Sequence, residues 1–423
     1  MDTPIAHLRS WDSCQNQTLQ QLWDSRVNRP DSHNTVVRQS TKRTIIPRKA
    51  ASVTLLAAVL LSGTAGLAQE AAPADTIEPK WDVIRKAALN PLDRQTVSKW
   101  MANQINQMAT SSDPTAIGVD FYKKITTHSR EGVPAFKEAL AQIMTEAFTA
   151  RYQQGSEGNR IQPMASVFVL MSLRETGPPA AALPAFRAVL TDPAPAVRCQ
   201  GMIGLNALRS SVTGANRQAL AQDIQKAAAN ETYPVVLGRI YEFFQFAGDN
   251  PSPPLDLQAS SRILRELLDA RLSRLEKQGG WPVPADAEAV VWLLSKAQTA
   301  PLNSAANQTH IARLAGRLLA DAGHAWAELK PPQHIKRELE RIVLMVEPPL
   351  GNLCKAKAPN AALPSPSLSD TVLSTAGPQA RVSEIIAKWI GSGQTKGVLN
   401  EAFNLPVGLG IQRPASTTTT PAS

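Results

Sequence analysis

The chain is poor in aromatic residues, at 5% of 423 positions, and it has only three cysteines. No Cys-x-x-Cys pair occurs, which excludes thiol-redox motifs and zinc ribbons. There is no HExxH and no GxSxG, and none of the six histidines sits in a triad signature. No run of Lys or Arg marks a nucleic-acid interface. No long stretch alternates at period two, so strands are not expected. A glycan-cleaving helical toroid needs paired acids and usually aromatic platforms, and scarce aromatics weigh against it. No cofactor is expected, and a non-enzymatic chain is.

One apolar run does stand out. Residues Ala50–Ala68 carry no charge, and basic residues Lys42, Arg43, Arg48 and Lys49 precede them. Gly66-Leu67-Ala68 then offers small residues for cleavage after Ala68. A positive region, an apolar core and a small-residue site make a secretory signal. Its core, Val53 to Leu61, suits a cleaved signal; its 19 residues also approach the roughly 20 of a membrane anchor. No Met lies between Met1 and Met101, so a start at Val36 or Val37 would use an alternative codon. Residues 36–49 carry five basic residues and no acid, which would hold the N-terminal side in the cytosol and place the bulk outside. The expected address is the periplasm or another envelope or extracellular site, with membrane contact only if the segment stays uncut. Residues 1–49 hold eight basic and four acidic residues of the +9 total, which leaves a mild +5 beyond them. Nucleic acid is therefore not an expected partner.

Beyond a linker at 69–80, the pattern is helical. Val97, Met101, Ile105 and Met108 form one stripe, and Ile263, Leu267, Leu268, Leu272 and Leu275 form another. Helices are expected across a domain at 81–250 and a second, continuous segment at 255–350. Breaks fall at Asn250–Pro254 and at Gly279-Gly280. Residues 355–380, rich in Ala, Pro and Ser, read as a linker; 381–404 hold a last short helical segment, and 405–423 a disordered tail. Residues 1–49 read as a disordered or misassigned extension.

The clearest unit is Leu183–Leu190, a Thr191–Pro195 turn and Ala196–Leu208. Asp-Pro ends the first helix, and Pro195 opens the second without losing a needed hydrogen bond. An offset of 38 residues matches Val197 to Val235, Met202 to Ile240, Leu205 to Phe243 and Leu208 to Phe246. The segment LPAFRAVLTDPAPAVRCQGMIGLNAL resembles a HEAT or armadillo-type repeat. The resemblance covers about 26 residues well and a looser stretch from Gln162 to Phe246. It implies an all-α solenoid of stacked antiparallel helix pairs, because a lone pair cannot bury its apolar face. It also implies protein partners without naming one.

Candidate sites are sparse. Asp321, His324 and Glu328 share a helical face, and His334 and Glu338 repeat the four-residue spacing, so together they are candidate metal ligands. Their bland alternative is a polar surface with ordinary helical pairs. Tyr241 and Phe244 could face a partner while Phe243 and Phe246 pack inside. Trp281, beside Pro282 and Pro284, reads as a helix cap or a ligand platform. Gly391–Gly397 looks like a phosphate loop but lacks the GxxxxGK[ST] order, so a helix cap and turn is the plainer reading. Cys14 precedes the signal, whereas Cys199 and Cys354 could pair outside the cytosol. The reading that follows is an exported, non-enzymatic, protein-binding helical-repeat chain. The alternatives are a helical enzyme acting on an envelope polymer such as a glycan, and a membrane-tethered structural protein.

Overall fold

The computed structural model describes residues 77–154, 161–177, 180–249, 255–328, 331–374 and 379–410. The signal-like run, residues 1–49 and the tail from 411 on lie outside the described residues, as does cleavage after Ala68. The described residues form sixteen α-helices and no strand, apart from one isolated bridge between Ser392 and Thr395. In chain order these are α1 Trp81–Ile84, α2 Pro91–Thr110, α3 Pro114–Glu131, α4 Pro134–Gln153, α5 Pro163–Glu175, α6 Leu183–Ala188, α7 Pro195–Leu208 and α8 Gly214–Ala228. They continue with α9 Pro234–Asp249, α10 Leu257–Gln278, α11 Pro284–Lys296, α12 Ala305–Glu328, α13 Gln333–Lys357, α14 Leu368–Leu373, α15 Gln379–Ile390 and α16 Val398–Phe403. None of them is long and apolar enough to cross a membrane.

Proline explains many of the helix starts. Pro91, Pro114, Pro134, Pro163, Pro195, Pro234 and Pro284 each occupy a first helical turn, where the missing N–H costs nothing. Side-chain caps complete several ends. Asn90 accepts from the Asp93 N–H at 2.8 Å, and Asp256 from the Ala259 N–H at 2.7 Å. Asp286 is the third residue of its helix, and its carboxylate accepts from the Val283 N–H at 2.9 Å.

The helices pack in two rows. One row runs α3, α5, α7, α9, α11 and α13, each in contact with the next. The other holds α2, α4 and α6, then α8, α10 and α12. Short connections force each packed neighbour pair to run antiparallel. The second row is weakest between α6 and α8, where α6 has only six residues; a cavity of about 550 Å³ opens there, walled by Leu183, Arg187 and Asp223.

The two best-matched helix pairs share a register of 39 residues, not 38. Pro234 lies 39 residues after Pro195, and both open their helices. At this offset Val197 matches Val236, Leu205 matches Phe244 and Leu208 matches Ala247, and all six are buried. At the expected offset Val235 would be core, yet it is 54% exposed. Phe246 is half-buried, with the Arg209 guanidinium 3.9 Å from its ring centre. The side chains at matched positions differ in size as well. Gly204 leaves room for the Phe186 ring, whose atoms come within 2.2 Å of where a Cβ would sit. Its counterpart 39 residues on is the buried Phe243.

The C-terminal third differs from expectation. Helix α13 continues past Pro348 and Pro349 to Lys357. The carbonyls these prolines cannot serve belong to Leu344, which is exposed, and Met345, which is half-buried. The expected linker at 355–380 contains α14, with Leu368, Thr371 and Val372 buried against α13 and α15. Residues 405–410 are not a tail either, since Leu409 is buried and packs over Gly316.

Candidate functional site

Most residues singled out in the sequence serve packing. Tyr241 and Phe244 are 2% and 0% exposed, so neither forms a partner-facing surface; helical rotation turns both into the core between α9 and its neighbours. The candidate metal ligands do not converge. Asp321 is buried and His324 half-buried within α12, while His334 is exposed in the first turn of α13. The Glu328 side chain lies outside the described residues. Gly323, inside α12, admits Ile386 of α15 at close range. Among the described residues no three His, Cys, Asp or Glu side chains come together as metal ligands.

Cys199 and Cys354 are both free and lie on α7 and α13, so the disulfide does not form. Burial raises both thiol pKa values, that of Cys354 to about 12, so neither is an activated nucleophile. The Gly391–Gly397 segment is a helix cap and turn. The Gly391 N–H donates to the Ala387 carbonyl at 2.8 Å, with Gly391 at φ +80°. The Ser392, Thr395 and Gly397 N–H groups are likewise spent inside the turn, on Thr395, Ser392 and Asn400 oxygens. Four of the seven N–H groups from Gly391 to Gly397 are thus already taken.

Trp281 leads to a more promising place. Gly279 and Gly280, at φ +75° and +122°, end α10 and turn the chain so that Trp281 lines a cleft. This cleft has a volume of about 560 Å³. Arg271, Arg274 and Leu275 of α10 form one side, and Asn230, Thr232 and Pro234 before and at the start of α9 form another. Ile335 and Glu338 of α13 also line it, as does Val283. At its edge Thr232–Val235 is an exposed run in which Tyr233 is 51% exposed. An aromatic and an aliphatic residue exposed side by side next to a cleft form a surface suited to docking.

A buried polar network underlies the cleft. Asp286 is fully buried and accepts from Arg271 Nε at 2.8 and 3.0 Å and from the Tyr241 hydroxyl at 2.9 Å. Burial, then the neighbouring Asp286 charge, pushes the Tyr241 hydroxyl well above its ordinary pKa, so it remains a donor. Arg274 donates to the Ala229 carbonyl at 2.5 Å and so covers the end of α8.

The α8–α9 wall is held by Glu231, whose carboxylate is 3% exposed. It binds Arg198 Nε and Nη2 at 2.7 and 2.9 Å and accepts from the Thr232 and Tyr233 N–H groups at 2.9 Å each. Asp192, 39 residues earlier, plays the same local part by accepting from the Ala194 N–H at 2.8 Å. Burial opposes ionisation of Glu231, but Arg198 and the two N–H groups together hold its pKa below the ordinary 4.5. A lowered carboxyl pKa stabilises the fold above 4.5, and that contribution fades as pH falls through the folded value. The stability difference between wild type and Glu231→Gln is therefore expected to be largest near neutrality and to shrink in acid below pH 4.5. Urea denaturation at stepped pH checks this, and a constant difference from pH 7 to about pH 3 would contradict it.

Sequence reasoning flagged Trp281 and Glu338 but missed Arg271, Arg274 and the Tyr233–Val235 edge. In comparisons with family models, curated proteins and solved structures, nothing matches this chain.

Proposed function

We propose that this chain is an exported, non-enzymatic binding protein of the cell envelope that docks a protein partner at the Trp281 cleft. The observation that carries the reading is the cleft itself. It combines apolar walls, one arginine, Arg271, on a rigid buried network, a second, Arg274, on the Ala229 carbonyl, and an exposed Tyr233–Val235 edge. Partner surfaces favour aromatic and arginine residues in such combinations. The likeness of residues Leu183–Leu208 to HEAT-type repeats supports a binding role, as does the absence of a catalytic motif. The apolar, uncharged Ala50–Ala68 run supports export.

An enzyme working on a polymer would need two carboxyl groups at one cleft, one of them desolvated. The Trp281 cleft has one, Glu338. Glu384 and Glu401 line a separate open pocket, but both are exposed and Glu384 is paired with Lys388 at 3.1 Å.

The test is photo-crosslinking with a reactive residue at Val235 in the full chain, in cells that make it. A discrete crosslinked protein, lost when Trp281→Ala is added, is the expected outcome. Crosslinks that persist unchanged with Trp281→Ala would remove the cleft from partner binding.

A further inference from the structure

We infer that the Trp281 cleft is a carboxylate site that takes the C-terminal end of an extended peptide chain. A carboxylate site presupposes that the cleft is a docking place, as proposed above. Its chemistry begins with Arg271, whose side chain is 6% exposed. The Nε of Arg271 is committed to both oxygens of Asp286. Its two terminal nitrogens have no acceptor among the described residues. Nor are they among the polar atoms sealed from solvent. Arg271 lines the cleft, so that pair of N–H-bearing nitrogens is what it offers there. Two parallel donors on a planar guanidinium match the two oxygens of one carboxylate. Asp286 fixes the plane beforehand, so little side-chain entropy remains to be lost on binding.

Arg274 adds a second positive charge to the same wall, with one nitrogen on the Ala229 carbonyl. Leu275, Trp281, Val283 and Ile335 supply apolar surface for a side chain beside the carboxylate. Glu338 stands on the α13 side and forms no salt bridge with a described residue. It disfavours a multiply charged anion such as phosphate and offers an acceptor for a peptide N–H. One carboxylate, one N–H and one apolar side chain are what a chain end presents. A volume of about 560 Å³ holds one or two such residues and lies within the range of small-ligand pockets.

An acidic side chain offers the same carboxylate, so the probes must separate the two sources. The full chain, labelled with ¹⁵N, is titrated with N-acetyl-leucine, N-acetyl-leucinamide and N-acetyl-isoglutamine. These carry a chain-end carboxylate, no carboxylate and a side-chain carboxylate. The readout is the Trp281 indole N–H signal, assigned by its loss in Trp281→Phe. N-acetyl-leucine is expected to shift it and to bind about tenfold or more tightly than the amide, as a charge-assisted bond implies. Arg274→Gln is expected to weaken N-acetyl-leucine several-fold without moving the amide's affinity. Arg271→Lys gives a second arm if it folds, with the fork lost and the charge kept.

Equal affinity for acid and amide would overturn the carboxylate site. Tighter binding of N-acetyl-isoglutamine would overturn the chain-end assignment. No movement of the Trp281 signal with any probe would remove the site. If crosslinking at Val235 succeeds while all three probes fail, the docking reading stands and the carboxylate site falls.

Discussion

Replacing Asp286 by alanine is expected to destabilise the protein by about 3–5 kcal/mol, the usual cost of breaking a buried ion pair from one side. Asp286 is fully buried, and three donors converge on it: Arg271 Nε, the Tyr241 hydroxyl and the Val283 N–H. Alanine removes every acceptor at once. It leaves the Arg271 guanidinium buried without a counter-charge, and it frees the N–H that fixes the start of α11. Asp286→Asn should lose less, because an amide oxygen can still accept from Tyr241 or Val283. An exposed pair is the internal reference. Removing Glu384, which meets Lys388 at 3.1 Å in solvent, should change stability by less than about 1 kcal/mol. Urea denaturation reads all three variants. The midpoint for Asp286→Ala should fall with an unchanged slope. A loss no larger than that of Glu384→Ala would mean that the network does not hold α9, α10 and α11 together. The network also sets Arg271 in place, so Asp286→Asn should weaken N-acetyl-leucine even where the fold survives.

The helices were largely legible because proline and apolar spacing mark them locally. Val97, Met101, Ile105 and Met108 are all buried, as their stripe implies. The register of the two matched helix pairs was not, because apolar matching weighs Phe246 as core. Arg209 can stack on that ring at a half-exposed position, and only the proline starts reveal the offset of 39. Tyr241 and Phe244 were misplaced because α9 buries a broad face, on which they lie together with Ile240 and Phe243. Composition misread 355–380, where Ala, Pro and Ser dominate. Helix α14 is six residues long, too short for a periodic signal, and it is held by partners elsewhere in the chain. The cleft could not be read locally at all. Arg271 meets Asp286, and shares a cleft with Glu338, only after α10, α11 and α13 have packed.

The C-terminal helices show how strong such a non-local hold is, and Glu347 is where it can be tested. Its buried carboxylate on α13 accepts from the Leu368 N–H at 2.8 Å, the Ser369 N–H and hydroxyl at 2.6 Å each, and the Trp389 indole N–H at 2.9 Å. One acid thus caps the start of α14 and anchors α15 through a buried tryptophan. Glu347→Ala strands four donors, three of them at α14. Each buried, unsatisfied group costs about 1–3 kcal/mol, less what entering water recovers. A net loss of about 3–5 kcal/mol is expected, and it should be local, because α14 to α16 contact only α12, α13 and one another among the principal helix contacts. Hydrogen exchange should therefore accelerate by two orders of magnitude or more across Leu368–Phe403 while the amides of α2 to α9 keep their protection. Glu347→Gln keeps one good acceptor and should fall between the two. Uniform acceleration along the whole chain would show instead that the C-terminal helices unfold only with the rest. Unchanged exchange at Leu368 and Ser369 would show that their N–H groups do not depend on Glu347. The expected pattern follows from the order of contacts. Two rows of helices bury their own faces, and the last three helices are held by the surfaces of α12 and α13 together with the Glu347 charge.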